Sequence, residues 1–121
     1  MRKDDPLSKH EFITPDLLMD IPLIISKKAY LTNELSGCLD DDIENHHIIA
    51  TFNLINNTAL LAEEGLGYVV SLDKIIQVSD DSPLCFCPLE PKLEAPLSLV
   101  WRQSAKLSPA ASKLLEIIRQ L

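Results

Sequence analysis

At 121 residues the chain has room for one domain with a real core, and 46% hydrophobic residues can fill it. A net charge of −7 and the absence of any basic cluster argue against a chain that grips nucleic-acid phosphates itself. The apolar runs fall short of a membrane span, no apolar segment follows the charged N-terminus to make a signal peptide, and three cysteines give no disulfide framework; a reducing cytoplasm, away from membranes, is the expected setting.

Met1 to His10 is polar, and Pro6 is expected to keep it extended. Thr14, Pro15 and Asp16 make a cap, a first helical position and a charge suited to the positive end of a helix dipole, which predicts a helical turn through Leu18. Asp20-Ile21-Pro22 breaks that turn. Leu23-Ile24-Ile25-Ser26 then reads as a short buried strand.

Leu31, Leu35, Cys38 and Leu39 fall on one helical face, predicting a helix from Ala29 to Leu39 with Gly37 near its end and Asp40-Asp41-Asp42 in the loop beyond. His47 to Phe52 reads as the next strand. Strand, helix and strand at this spacing predict a right-handed crossover. Asn53 is a good N-cap residue, and Leu54, Ile55, Ala59, Leu60, Leu61 and Ala62 make a broad apolar stripe. Gly65 stands where that helix should stop. Gly67 turns the chain into Tyr68-Val69-Val70-Ser71-Leu72, a strand with little alternation, as expected of one covered on both faces.

The C-terminal third is predicted as follows. Asp73 to Ile76 continues into a short helical turn, and Val78 to Pro83 is loop. Leu84 to Leu89 is a strand with Pro88 at its end, Glu90 to Pro96 an extended crossing, and Leu97 to Trp101 a final strand. Ser108-Pro109 opens the last helix, whose face carries Ala111, Leu114, Leu115, Ile118 and Leu121. The expected fold class is α/β, an open and mostly parallel sheet flanked by helices.

The candidate chemistry is thin. Cys85 and Cys87, two apart in a predicted strand, share a face, but no further Cys or His stands at a matching ligand distance. His46 and His47 would point to opposite faces. Nothing marks a cysteine as an activated nucleophile. Asp40-Asp41-Asp42 with Glu44 reads as a solvated loop before a cation site. Gly65 and Gly67 follow a helix, whereas phosphate-cradling loops precede one. The expectation is therefore no metal, no cofactor and no enzyme. Asn53, Asn56 and Asn57 gather at a helix N-terminus after a strand, where small ligands, anions above all, bind in open α/β sheets. Ser26 and Lys27 open on the same rim. The alternative is that Asn53 only caps and Asn56 and Asn57 are surface polar; the residues alone leave both open.

Five stretches occur in the order seen in LysR-type transcriptional regulators: Phe12-Ile13-Thr14-Pro15-Asp16-Leu17-Leu18, Ile21-Pro22-Leu23-Ile24-Ile25-Ser26, Asn53 to Asp73, Leu84-Cys85-Phe86-Cys87-Pro88-Leu89, and Leu97-Ser98-Leu99-Val100-Trp101-Arg102. With Leu107-Ser108-Pro109-Ala110-Ala111 before an amphipathic helix, they resemble that family's effector-binding domain, which is similar to type 2 periplasmic binding proteins. The resemblance implies the second of two lobes over residues 1–96. It implies a return strand and C-terminal helix over 97–121 that would belong to the first lobe, and a DNA-binding domain and most of a first lobe outside these residues. It implies a small-molecule effector at Ser26, Lys27, Asn53, Leu54, Asn56, Ser71 and Leu72, with Leu72 where relatives often have proline; the asparagine cluster read from the residues adds Asn57 to the candidates. It implies a homodimer that meets DNA only through the missing domain. The last helix then needs cover, from its own lobe or from another copy. A stand-alone interaction module without its own ligand is the other reading.

Overall fold

A computed structural model describes residues 1–37, 39, 43–104 and 106–121. Cys38 and the acidic run Asp40-Asp41-Asp42, both named above, lie outside the described residues. The chain forms α1 (Pro15–Leu18), β1 (Leu23–Ser26), α2 (Lys27–Thr32), β2 (Ile48–Phe52), α3 (Ile55–Glu63), β3 (Tyr68–Val69) and α4 (Pro109–Arg119), with short 3-10 turns at Pro6–Lys9 and Ile43–Asn45.

The strands form one parallel sheet in the order β2-β1-β3. β1 is central, and Leu23, Ile24 and Ile25 are fully buried, as their apolar run predicts. Along β2 the register steps from Leu23↔Ile48 to Ile24↔Ala50, so Ile49 is a bulge. Because alternate side chains face opposite ways, the helices divide between two faces. Leu23 and Ile25 pack with Leu18, Ala29, Leu35, Leu39 and Ile43. Val69, which pairs with Ile24, packs instead with Ala59, Ala62 and Leu84. The sheet order explains this: β1 to β2 steps one way and β2 to β3 steps back, so crossovers of one hand lay α2 and α3 on opposite faces.

The two glycines between α3 and β3 behave differently. Gly65 takes a left-handed φ of 73°. Its N–H donates to the Ala62 carbonyl and that of Leu66 to the Leu61 carbonyl, the paired bonds that satisfy a helix C-terminus. Gly67 is held by space: a Cβ there would lie 2.8 Å from the Pro22 carbonyl oxygen and 2.9 Å from Ile49 Cδ1.

Several expectations need correction. Pro6 holds Asp5 extended (ψ 140°) but then starts a 3-10 turn, capped by the Asp5 carboxylate. The helix expected from Ala29 to Leu39 begins at Lys27 because Ser26, the last strand residue, caps it: Ser26 Oγ accepts from Ala29 N at 3.0 Å. It ends where Asn33 turns left-handed (φ 52°). α3 has Leu54, not Asn53, at its cap position, and no side chain caps it; after Phe52 the chain needs two residues to leave the sheet. Asp73 to Ile76 is a turn, with Lys74 at φ 61°, and not helix.

Leu84 to Leu89 joins no sheet strand. It meets the N-terminal segment through two isolated bridges, Arg2↔Leu84 and Ile13↔Leu89, because Pro83 and Pro88 supply only carbonyls, to Lys3 N and Ile13 N. Leu97 to Trp101 forms no strand either. It has no ladder partner among the described residues, and Leu97 is 90% exposed. The final helix starts as expected, with Ser108 Oγ accepting from Ala111 N and Pro109 in its first turn, yet none of its residues is buried.

Candidate functional site

Parallel pairing brings the carboxyl ends of all three strands to one edge of the sheet. Ser26 pairs with Phe52 across β1 and β2, and Ile24 pairs with Val69 across β1 and β3. Ser26 and Lys27, Asn53 and Leu54, and Ser71 and Leu72 therefore follow the three strand ends on one rim. The chain reverses its direction of travel across the sheet between β1 and β3. In open α/β sheets, the crevice at such a reversal, outside the strand ends, is where ligands sit. In chain position Ser26 and Lys27 stand at the end of β1, and Ser71 and Leu72 shortly after β3, the two strands on either side of that reversal.

The rim side chains divide into committed and open groups. Ser26 Oγ already caps α2, and Ser71 Oγ donates to the Leu72 carbonyl at 3.2 Å. Lys27 is exposed and forms no ion pair among the described residues. Asn53, Leu54, Asn56 and Asn57 are exposed, and with no side-chain cap on α3 the first-turn N–H groups are left for solvent or an anion. The rim thus offers one cation and uncapped backbone donors, a set suited to a small anion.

A well-formed groove lies elsewhere. It has a volume of about 600 Å³ and runs between α3, at Ala59 and Ala62, and the segments 71–78 and 84–86. Of the eight rim residues, only Ser71 and Leu72 line it. Sequence reasoning missed the rest of this groove; the apolar Leu72, Ile75 and Val78, outside any regular element, are the signal that could have pointed to it.

The cysteine and histidine alternatives gain no support. Cys87 Sγ lies 3.1 Å from the His10 carbonyl oxygen, and burial, with the neighbouring Cys85, pushes its thiol up from its ordinary range, the opposite of an activated nucleophile. His46 is buried and His47 exposed, just before β2. Among the described residues no three His, Cys, Asp or Glu side chains come together as a metal site. No described helix is long and apolar enough to cross a membrane.

A parallel sheet with helices on both faces and its strand ends on one rim defines an open α/β class of fold. Within that class the chain belongs to the LysR substrate binding domain family, whose model matches residues 1–121, the whole chain. That family has a periplasmic-binding-protein-like fold and serves effector binding in transcription regulation. Neither a comparison with curated proteins nor one with solved structures returns a significant match.

Proposed function

We propose that this chain is the effector-sensing part of a LysR-type transcriptional regulator. It acts without catalysis, in the cytoplasm, and relays ligand binding to a DNA-binding domain outside these residues. Residues 1–96 are read as the second lobe and 97–121 as the segment that returns to the first. The effector is a small anion held at Ser26, Lys27, Asn53, Leu54, Asn56, Asn57, Ser71 and Leu72. The observation that carries this reading is the shared rim of strand ends, with Lys27 at the end of β1 beside the β1/β3 reversal and the uncapped start of α3 at the end of β2, on the far side of β1. One lobe buries only part of a ligand, so binding to this chain alone is weak.

The test is a titration of the chain with a panel of small mono- and dicarboxylates, followed by backbone amide shifts. Saturable shifts centred on Ser26, Lys27, Ser71, Leu72 and Asn53–Asn57, and weakened in Lys27→Gln, are the expected result. Saturable shifts confined to other surfaces would overturn the assignment of the rim. A second reading, a stand-alone assembly module, is favoured by one observation, the uncovered apolar face of α4. Association without ligand, together with a rim silent to every anion, would favour it.

A further inference from the structure

Met1 and Cys85 are 84 residues apart in sequence and directly opposite each other in space. The Cys85 N–H donates to the Met1 carbonyl at 2.8 Å, and the Met1 nitrogen donates to the Cys85 carbonyl at 3.2 Å. This reciprocal pair lies beside the antiparallel bridge Arg2↔Leu84. Side chains directly opposite in an antiparallel pair stand on the same face. Cys87, two residues further along, returns to that face. Met1, Cys85 and Cys87 accordingly line one small cavity, and Met1 and Cys87 both pack against the core around Leu23 and Ile25.

The cavity has a chemistry of its own. Its volume is about 70 Å³, too small for a drug-sized ligand and enough for a single ion. Its other walls are mostly apolar, with Ile13, Leu18 and Leu23 among them. Among the described residues no carboxylate and no imidazole lines it. A hard cation, which wants carboxylate oxygens, is poorly served there. Zinc wants four ligands, and no three Cys, His, Asp or Glu side chains gather among the described residues. Two thiols and a thioether are instead the set that soft, cuprous copper selects. The third sulfur comes from the far end of the chain, where sequence spacing cannot show it.

Both thiols are held only by backbone carbonyls. Cys85 Sγ donates to that of Arg2 at 3.7 Å, and Cys87 Sγ to that of His10 at 3.1 Å. Both cysteines are free and half-buried. Residues two apart in an extended segment have Cα atoms about 6.4–6.8 Å apart, at the upper limit for a disulfide, so a bridging ion suits this pair better than a sulfur–sulfur bond. The burial that keeps the Cys87 thiol protonated makes a poor nucleophile. It does not prevent ligation, because a bound cation takes the proton's place.

We propose that Cys85, Cys87 and Met1 form a binding site for one cuprous ion. Each thiol releases its proton, the copper stays Cu(I), and the Met1 thioether completes a three-sulfur set. The ion then staples the N-terminal segment to the 84–89 segment, which are joined by two isolated bridges. Ser71 is the one residue that cavity and rim share, so this site stands or falls apart from the effector reading.

The experiment is an anaerobic titration of the reduced full chain with Cu(I), against bicinchoninate as competing chelator and with Zn(II) as the comparison ion. One Cu(I) per chain is expected, drawn from the chelator, with a raised melting temperature. Cys85→Ser and Cys87→Ser are each expected to lose more than about 100-fold in affinity, more than a change outside the ligand shell costs. Cys38→Ser is expected to keep full binding. Copper-edge X-ray absorption reads the third ligand in a selenomethionine-labelled Met19→Leu chain, where Met1 carries the only selenium. Two sulfurs and one selenium around copper are expected, and this reading stands even if circular dichroism shows a cysteine variant to be unfolded. Copper left with the chelator, binding lost in Cys38→Ser but kept in folded Cys85→Ser and Cys87→Ser, Zn(II) held as tightly as Cu(I), or a copper shell without selenium would each overturn the proposal.

Discussion

The Tyr68 hydroxyl donates a 2.6 Å hydrogen bond to one oxygen of the Asp5 carboxylate, whose other oxygen accepts from the Leu7 backbone N–H at 2.9 Å. One carboxylate thus ties β3 to the N-terminal turn. Burial, then the bond to Asp5 and its charge, push the Tyr68 phenol from 10.0 up to about 12. A pKa raised on folding means that the folded state holds the proton more tightly. The stabilisation is therefore complete below about pH 10 and is lost as pH rises through about 12. Tyr68→Phe is expected to lower stability by about 1 kcal/mol near neutrality, since Asp5 keeps its bond to Leu7. It should also flatten the fall of melting temperature across that alkaline window. Equal alkaline slopes in the two proteins would refute the linkage.

Gly67 and Gly65 predict two different losses. Alanine at Gly67 would press its Cβ on the Pro22 carbonyl oxygen, the same oxygen that accepts the Tyr68 N–H at 2.8 Å. Backbone must then move where β3 joins the sheet, at a loss of about 2–3 kcal/mol. Alanine at Gly65 meets only the flexible Arg2 side chain at 3.6 Å, but is forced to a φ of 73°, a loss of about 1 kcal/mol. Urea denaturation should rank Gly67→Ala as the more harmful; the reverse order would show that sheet and turn have been misjudged.

These local features were also the most readable ones. Leu23 to Ser26, the stop at Gly65, and Ser108-Pro109 announce themselves through neighbours in the chain, so their signals survive without tertiary context. Leu84 to Leu89 and Leu97 to Trp101 carry equally good strand composition, but a strand needs a partner edge, and nothing local reports whether one is present. Ser26 misled differently, because a residue can end a strand and cap a helix at once. The rim was foreseeable because strand-helix alternation dictates which ends meet. The groove was not, because its wall comes from the 71–78 and 84–86 segments, whose positions follow from packing and not from periodicity.

The sheet centre should dominate stability. Ile25 is 0% exposed and lies in β1 between both other strands. Ile25→Ala is expected to cost about 3 kcal/mol, from lost burial and the cavity left behind. Leu97→Ala, of similar chemistry but at a 90% exposed position, should change the stability of a dilute, monomeric sample by less than about 0.5 kcal/mol. Comparable losses at the two sites would mean that residues 97–101 are buried in the isolated chain.

Ser26 and Lys27 are adjacent on the rim yet should fail in different ways. Ser26 Oγ accepts the Ala29 N–H, so Ser26→Ala removes a helix cap and is expected to cost about 1 kcal/mol with or without ligand. Lys27 is exposed and bears no ion pair among the described residues, so Lys27→Gln should leave stability within about 0.5 kcal/mol of the parent. Its charge, however, stands beside the β1/β3 crevice, where an anion would feel it at short range. Thermal shifts with small carboxylates should therefore persist, from a lower baseline, in Ser26→Ala, and shrink in Lys27→Gln. Raised ionic strength should weaken the shift in the parent and change little in Lys27→Gln. If Lys27→Gln keeps the full, salt-sensitive shift, the anion is held elsewhere, and the first turn of α3, at Asn56 and Asn57, becomes the place to substitute next.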